Sequence, residues 1–367
     1  NPDITLSIEV FADTEIPIKV ETAFLAGEEP DLVFHNYPYG GSGEWLPNGI
    51  TVDVAPYLEQ WGLKDSFKEI AIAQYTTQES NVVAFPLEGF TWPIWYNMKI
   101  LKEAGVSEIP STVDELIAAS EKIRAAGYQP FVVGGSDWTG QAFFNVINST
   151  YMTDQEFGQV YVSGEFSKNA NFAKSVELLI KLRDAGVFAD NSEGLDFATM
   201  NAMFFEGKAA MMNAGSWSFS ECPEELLADV KIAGFPLVEG SPHASPIVPS
   251  GFYGKGVWIT RNGVNKIAAI EKFVKFLYQT ENIDSFVEVS GMTSPLKTTN
   301  VDEAKLHPLF VQSIKWGDTV TFVDVVDPYI PSKAWEDLTK ITKESYIPGT
   351  TAEKILTDLD AAWLQYK

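Results

Sequence analysis

Residues 82–106 read VVAFPLEGFTWPIWYNMKILKEAGV, and this stretch limits the possible folds more than any other. Two short β-prone segments, 82–86 and 94–97, are followed by a short helical run closed by Gly105. A strand that feeds directly into a helix is the repeating unit of α/β architecture. Between the two segments lie Glu88, Phe90 and Trp92, at alternate positions. Alternate side chains of an extended chain point the same way. One carboxylate and two aromatic faces therefore look out from one side. That set suits a polyol, with rings for its C–H face and an acceptor for its hydroxyls. The same residues also suit a buried core, and periodicity alone does not separate the two readings.

The strand-and-helix alternation continues along the chain. Ile4, Leu6, Ile8 and Val10 alternate with polar residues and predict a strand. Thr14 is placed to cap a helix with Pro17 in its first turn, ending at Gly27, and 30–34 reads as the next strand. The turn at 52–61 reads as structural. Thr112 and Glu115 have capping-box spacing and open a helix that ends at Gly127, with a strand over 130–134 beyond it. A second amphipathic helix spans 172–186. Further on, a helix ends at Gly207 and a strand covers 209–213, with Met200, Met203, Met211 and Met212 as core filler. Strands are predicted over 230–236 and 257–260, and a helix over 267–278. Thr350 and Glu353 again have capping-box spacing, before a final helix. At 367 residues the chain exceeds one ordinary core and divides into two lobes.

Charge narrows the function. The 26 basic and 50 acidic residues give a net charge of −24. Nucleic acid and anionic lipid both call for a basic surface, so neither is an expected partner. Composition is globular, and no apolar run reaches the ~20 residues of a membrane span. The single cysteine, Cys222, admits no internal disulfide and is expected to be an inert thiol. Ten Trp is a surplus that fits ring stacking on sugars. His243 and His307 read as plain surface residues. Neither G-x-S-x-G nor H-E-x-x-H occurs, and no metal, cofactor or catalytic set is expected.

Ligand sites of open α/β sheets lie at the carboxyl ends of strands. The loop at 35–48 leaves such an end and carries Tyr39, Glu44 and Trp45 among glycines. It reads either as a rim of ligand contacts or as an exposed turn. Asp137 and Trp138 follow the strand at 130–134, as an acceptor and a stacking ring, or as a helix N-cap and a buried ring. Trp217 turns at the end of the strand at 209–213.

The runs IWYNMKILKEAGV at 94–106, IPSTVDEL at 109–116 and LDFATMNAMFFEGKAAMMNAGSW at 195–217 come in an order that resembles the extracellular solute-binding proteins of sugar ABC transporters, the maltose-binding-protein-like family. The resemblance covers nearly the whole chain. It implies a two-lobe periplasmic-binding-protein-like fold, with a ligand cleft between the lobes and a hinge. Mapped here, lobe one takes 1–107 plus 259–303 and lobe two takes 108–258 plus 304–367. The hinge falls near 97–106 and 256–261. In the family a further strand and helix precede the residues that begin this chain, and the expectation is that a leader and that unit are missing from the sequence. The resemblance places Gly251 and Phe252 in the cleft and implies stacking roles for Trp217 and Trp335.

The implied function is non-enzymatic capture of an uncharged sugar or short oligosaccharide outside the cytoplasm, periplasmic or lipid-anchored, by a monomer that delivers it to ABC permease subunits. Two alternatives stand beside it. One is the same fold holding a polyamine or another non-sugar solute. The other is a glycoside hydrolase drawing two carboxylates from Glu44, Glu88 and Asp137, which would have to lie about 5–9 Å apart.

Overall fold

The computed structural model describes residues 4–77 and 79–366, with Tyr39, Gly40 and Ser332 described by backbone alone. The chain forms two compact units, and each is built from two or more separated stretches. Unit 1 takes Asn1–Phe90 and Gly251–Leu306; unit 2 takes Thr91–Ser250 and His307–Lys367. The crossings therefore fall at 90/91, 250/251 and 306/307, against the expected 107, 258 and 303. Glu88 and Phe90 belong to unit 1, and Trp92 to unit 2.

Unit 1 is organised on a three-stranded sheet. The strand Lys255–Ile259 lies in the middle, with Leu32–Asn36 and Phe85–Pro86 antiparallel on either side. Val257 and Trp258 are fully buried because both faces of this middle strand are covered. Trp258 stacks edge-on against Trp45, and its indole N–H donates to the carbonyl oxygen of His35 at 3.1 Å. Trp61 lies flat on Phe85, with ring centroids 5.5 Å apart. The helices of this unit include Ile16–Ala26, Ala55–Gln60, Glu69–Gln74, Ile267–Leu277 and Thr280–Ser290.

Three local expectations change here. Residues 4–10 form no strand, and Leu6, Ile8 and Val10 are exposed. A strand needs a partner ladder, and no strand among the described residues pairs with this segment. Thr14 does not cap its helix; Glu15 holds the cap position without a side-chain bond, while Pro17 and Gly27 stand where expected. The strand expected at 82–86 shrinks to Phe85–Pro86, because the N–H groups of Val82 and Val83 go to Asp53 and to Tyr75.

Unit 2 carries a four-stranded sheet in the order Gln129–Val132, Ala209–Asn213, Ile94–Asn97, Val230–Ala233. The first two strands are parallel, and Ile94–Asn97 runs antiparallel to both of its neighbours. Asn97 closes that strand and caps the helix Met98–Glu103, its side-chain oxygen accepting from Ile100 N at 3.1 Å. The Thr112–Glu115 capping box forms as expected at the head of Val113–Ala125. The last helix, Ala352–Trp363, is capped by Thr351, one residue later than the sequence pattern suggested. One continuous core runs beneath these elements and includes Phe131, Phe143, Leu179, Met211 and Trp363. The helix Trp138–Ser149 packs against the helices Ala170–Asp184 and Trp335–Ser345.

Candidate functional site

Three indoles converge at one end of the unit 2 sheet. Strand direction explains why. Val132 pairs with Met212, so Gln129–Val132 and Ala209–Asn213 finish side by side. Ile94 pairs with Asn213, so the antiparallel strand Ile94–Asn97 begins where those two end. Trp138 and Trp217 leave the carboxyl ends of the parallel strands, and Trp92 enters the antiparallel one. The ring centroids of Trp92 and Trp217 are 5.1 Å apart, those of Trp92 and Trp138 5.8 Å, and those of Trp138 and Trp217 6.1 Å. Phe197 adds a fourth ring, 5.4 Å from Trp138. Trp138 and Trp217 are half-buried, and Trp92 is buried.

Each ring is held from below. A Cβ on Gly215 would stand 2.2–2.4 Å from the Trp217 ring atoms, so only glycine lets the indole fold back over its own chain. Asn213 donates from its side-chain amide to the carbonyl of Pro93 at 3.1 Å, fixing the entry beside Trp92. Ser216 accepts from Thr91 N at 3.3 Å. Asp137 does more than cap its helix. One oxygen accepts from Thr139 N at 2.9 Å and from the Thr139 hydroxyl at 2.6 Å; the other accepts from Phe197 N at 2.8 Å. The carboxylate thus joins the start of Trp138–Ser149 to the start of Phe197–Phe205 and sets the Trp138–Phe197 contact. Both of its oxygens are thereby engaged within the protein, which gives Asp137 a positioning role.

A second patch lies wholly in unit 1. Gly89 exchanges both backbone hydrogen bonds with Thr293, at 2.8 Å each. A Cβ on Gly89 would meet the Phe252 ring at 2.7 Å, and one on Gly254 would meet Glu88 at 2.9 Å. The segments 88–90 and 251–254 are therefore in tight contact. Phe252 N donates to the side-chain oxygen of Gln74 at 2.6 Å, and the Tyr75 hydroxyl donates to Gly254 O at 2.6 Å. Glu88 is 8% exposed and accepts from Lys255 N at 3.3 Å. Burial pushes its carboxyl up, against the pull of Lys255.

The expected site residues fall into distinct groups. Trp92, Trp138 and Trp217 come together in unit 2. Glu88, Phe90, Gly251 and Phe252 belong to the unit 1 patch or its flanking residues. Trp45 is fully buried between His35 and Trp258, with centroids 5.4 Å and 5.1 Å away, so its ring packs the core and offers no face to a ligand. Glu44, its neighbour, is exposed. The side chain of Tyr39 lies outside the described residues. Trp335 is half-buried at the head of Trp335–Ser345 and packs against the unit 2 core.

The histidines also differ from expectation. His307 is half-buried, caps the helix Pro308–Ile314 and stacks on Phe219. His243 donates toward the carbonyl oxygen of Ser149 at 2.8 Å. Burial pushes the Cys222 thiol up to about 11, as suits an inert thiol. Reading the sequence missed Phe197, Gln74 and Lys68. Phe197 had a signal: it follows Asp196, a helix cap, within the same run that ends in Trp217.

Among the described residues, no group of three or more His, Cys, Asp or Glu is placed to hold a metal ion. Among the same residues, no helix is long and apolar enough to cross a membrane.

Two sheet-centred units joined by several chain crossings, with aromatic rings at the carboxyl ends of strands, define a two-lobe ligand-binding α/β protein. The family model for bacterial extracellular solute-binding proteins matches residues 1–283, and the chain belongs to that family. A probable secreted solute-binding lipoprotein from Streptomyces coelicolor is similar in structure, with a TM-score of 0.86 and 36% identity, covering 99% of this chain and 91% of that one. The multiple sugar-binding protein of Streptococcus mutans is 24% identical over 327 residues, 84% of this chain and 72% of its own. A probable sugar-binding periplasmic protein of Rhizobium meliloti is 26% identical over 211 residues, 54% of this chain. That match spans about half of the relative's length, 48%.

Proposed function

We propose that this chain is the substrate-binding component of an ABC importer and captures a sugar or short oligosaccharide outside the cytoplasm, free or lipid-anchored, without turning it over. The observation that carries this reading is the cluster of Trp92, Trp138 and Trp217 at one end of the unit 2 sheet. Indoles of this kind offer flat apolar faces to the C–H surfaces of pyranose rings. Two of the three keep part of their surface open to solvent, although burying it would bring more hydrophobic gain. Family membership and the sugar-binding names of the relatives support the same reading. The hydrolase alternative loses ground on geometry, since the Asp137 carboxylate is committed to two helix starts and the Glu88 carboxylate is buried.

A thermal-shift screen of the purified protein against mono- and oligosaccharides, with polyamines as controls, tests this. A ligand at 100 times its dissociation constant adds about 2.7 kcal/mol to the native state, a shift of several degrees. The same ligand should bind Trp217→Ala more weakly by about 2 kcal/mol or more, with the urea transition unmoved. A shift with a polyamine and none with any sugar would replace the sugar reading with the polyamine one.

A further inference from the structure

Lys68 differs from the cations around it. Acids outnumber bases 50 to 26 in this chain, so a cation finds a carboxylate easily. Lys64 pairs with Glu59, and Lys255 with Asp13. The Lys68 ammonium instead donates to the carbonyl oxygen of Ser294 at 2.8 Å and sits 5.5 Å from the centroid of the Phe252 ring. Neither partner carries a negative charge. Lys68 is half-buried, and burial pulls its pKa down with no carboxylate opposing the shift. Taking an ammonium out of water without a counter-charge is costly.

Its position is well fixed. Lys68 N donates to Pro295 O at 2.8 Å, and Phe67 bridges to Leu296, so the backbone is tied to the segment that supplies Ser294. The residue before Ser294, Thr293, is the one paired with Gly89, and Gly89 packs against the ring that the ammonium covers. The ammonium therefore lies on the patch formed by 88–90 and 251–254. It has three N–H donors; one goes to Ser294, and the ring face attracts the positive charge through its quadrupole.

We infer that Lys68 is a specificity-determining residue, and that the unit 1 patch takes the carboxylate of an acidic sugar, a uronate, in preference to the neutral sugar of the same shape. This inference rests on the sugar-binding reading and narrows it. One ammonium matches one negative charge. A phosphorylated sugar, with nearly two negative charges at pH 7, would meet the buried Glu88 and a chain of net −24 at greater cost. A local cation is what an anionic ligand needs in such a field.

The test uses the full chain, titrated calorimetrically with paired di- to tetrasaccharides: neutral galacto- and gluco-oligosaccharides and their uronate counterparts. The wild type should hold a uronate at least tenfold tighter than its neutral partner, with affinity falling as salt rises. Lys68→Met should lose tenfold or more on the uronate and less than twofold on the neutral sugar. Lys68→Arg keeps the charge, and should retain most of the preference if Lys68→Met is folded by its urea transition. Neutral sugars bound as tightly as uronates, or equal losses on both in Lys68→Met, would overturn the inference and leave the sugar reading standing. No heat with either class would overturn both.

Discussion

Asp137→Ala separates a positioning carboxylate from a ligand-binding one. The substitution removes the N-cap of Trp138–Ser149, which costs about 1 kcal/mol. It also removes the charge-assisted bond from Phe197 N at 2.8 Å, worth about 1.5–3 kcal/mol. Together these amount to roughly 3 kcal/mol, all of it in unit 2. At a urea m-value of about 3 kcal/mol/M, the unit 2 transition should move down by about 1 M. Intrinsic Trp fluorescence is a suitable probe, because Trp92, Trp138 and Trp217 stand next to the lesion. Ligand affinity at low urea should fall only through the displaced Trp138 ring. Asp137→Asn should recover part of the loss, since its amide oxygen can still accept one of the bonds. An unmoved urea transition together with a large loss of affinity would refute this account and restore Asp137 as a direct ligand acceptor.

Two further expectations follow from the geometry. Gly215→Ala adds a methyl that cannot coexist with the present Trp217 ring position, while the backbone at φ −73° accepts alanine without strain. Its affinity should therefore drop toward that of Trp217→Ala with little change in the urea midpoint, and unchanged affinity would mean that the ring position does not matter to the ligand. Glu88 has a folded-state pKa raised by burial above the ordinary 4.5, so the native state holds its proton longer than the unfolded chain. Its contribution to stability is therefore largest below pH 4.5 and declines as pH rises through the folded value. Glu88→Gln should flatten that part of the stability–pH curve and be no less stable than wild type at pH 7, read from urea midpoints at several pH values.

Much of the fold was legible because local signals and tertiary demands agree. The capping box at Thr112 and Glu115, the helix–Gly207–strand succession and the turn at Gly215 each read correctly from the chain alone. Trp217 could be placed for the same reason: a ring after a glycine at the carboxyl end of a strand has few places to go. Trp45 could not. It lies in a glycine-rich loop that looks like an exposed rim, and only the approach of Trp258, 213 positions later in the sequence, buries it. Asp137 had both roles open, because spacing alone cannot show that Phe197 N would arrive at its second oxygen. Lys68 was invisible, since nothing in its neighbourhood of the sequence announces Phe252 or Ser294. The alternation at 4–10 misled because period two describes a face and supplies no partner strand.

The reversed strand in the unit 2 sheet has a consequence for how such a protein can change its taste. Because Ile94–Asn97 runs against its neighbours, its incoming end meets the outgoing ends of the other two. The three indoles thus stand together in space but belong to three separate loops, each rooted in a strand the others do not share. One of these segments can therefore change, replacing a single ring, while the other two rings keep their places. The sheet needs no rebuilding when one of the rings is exchanged.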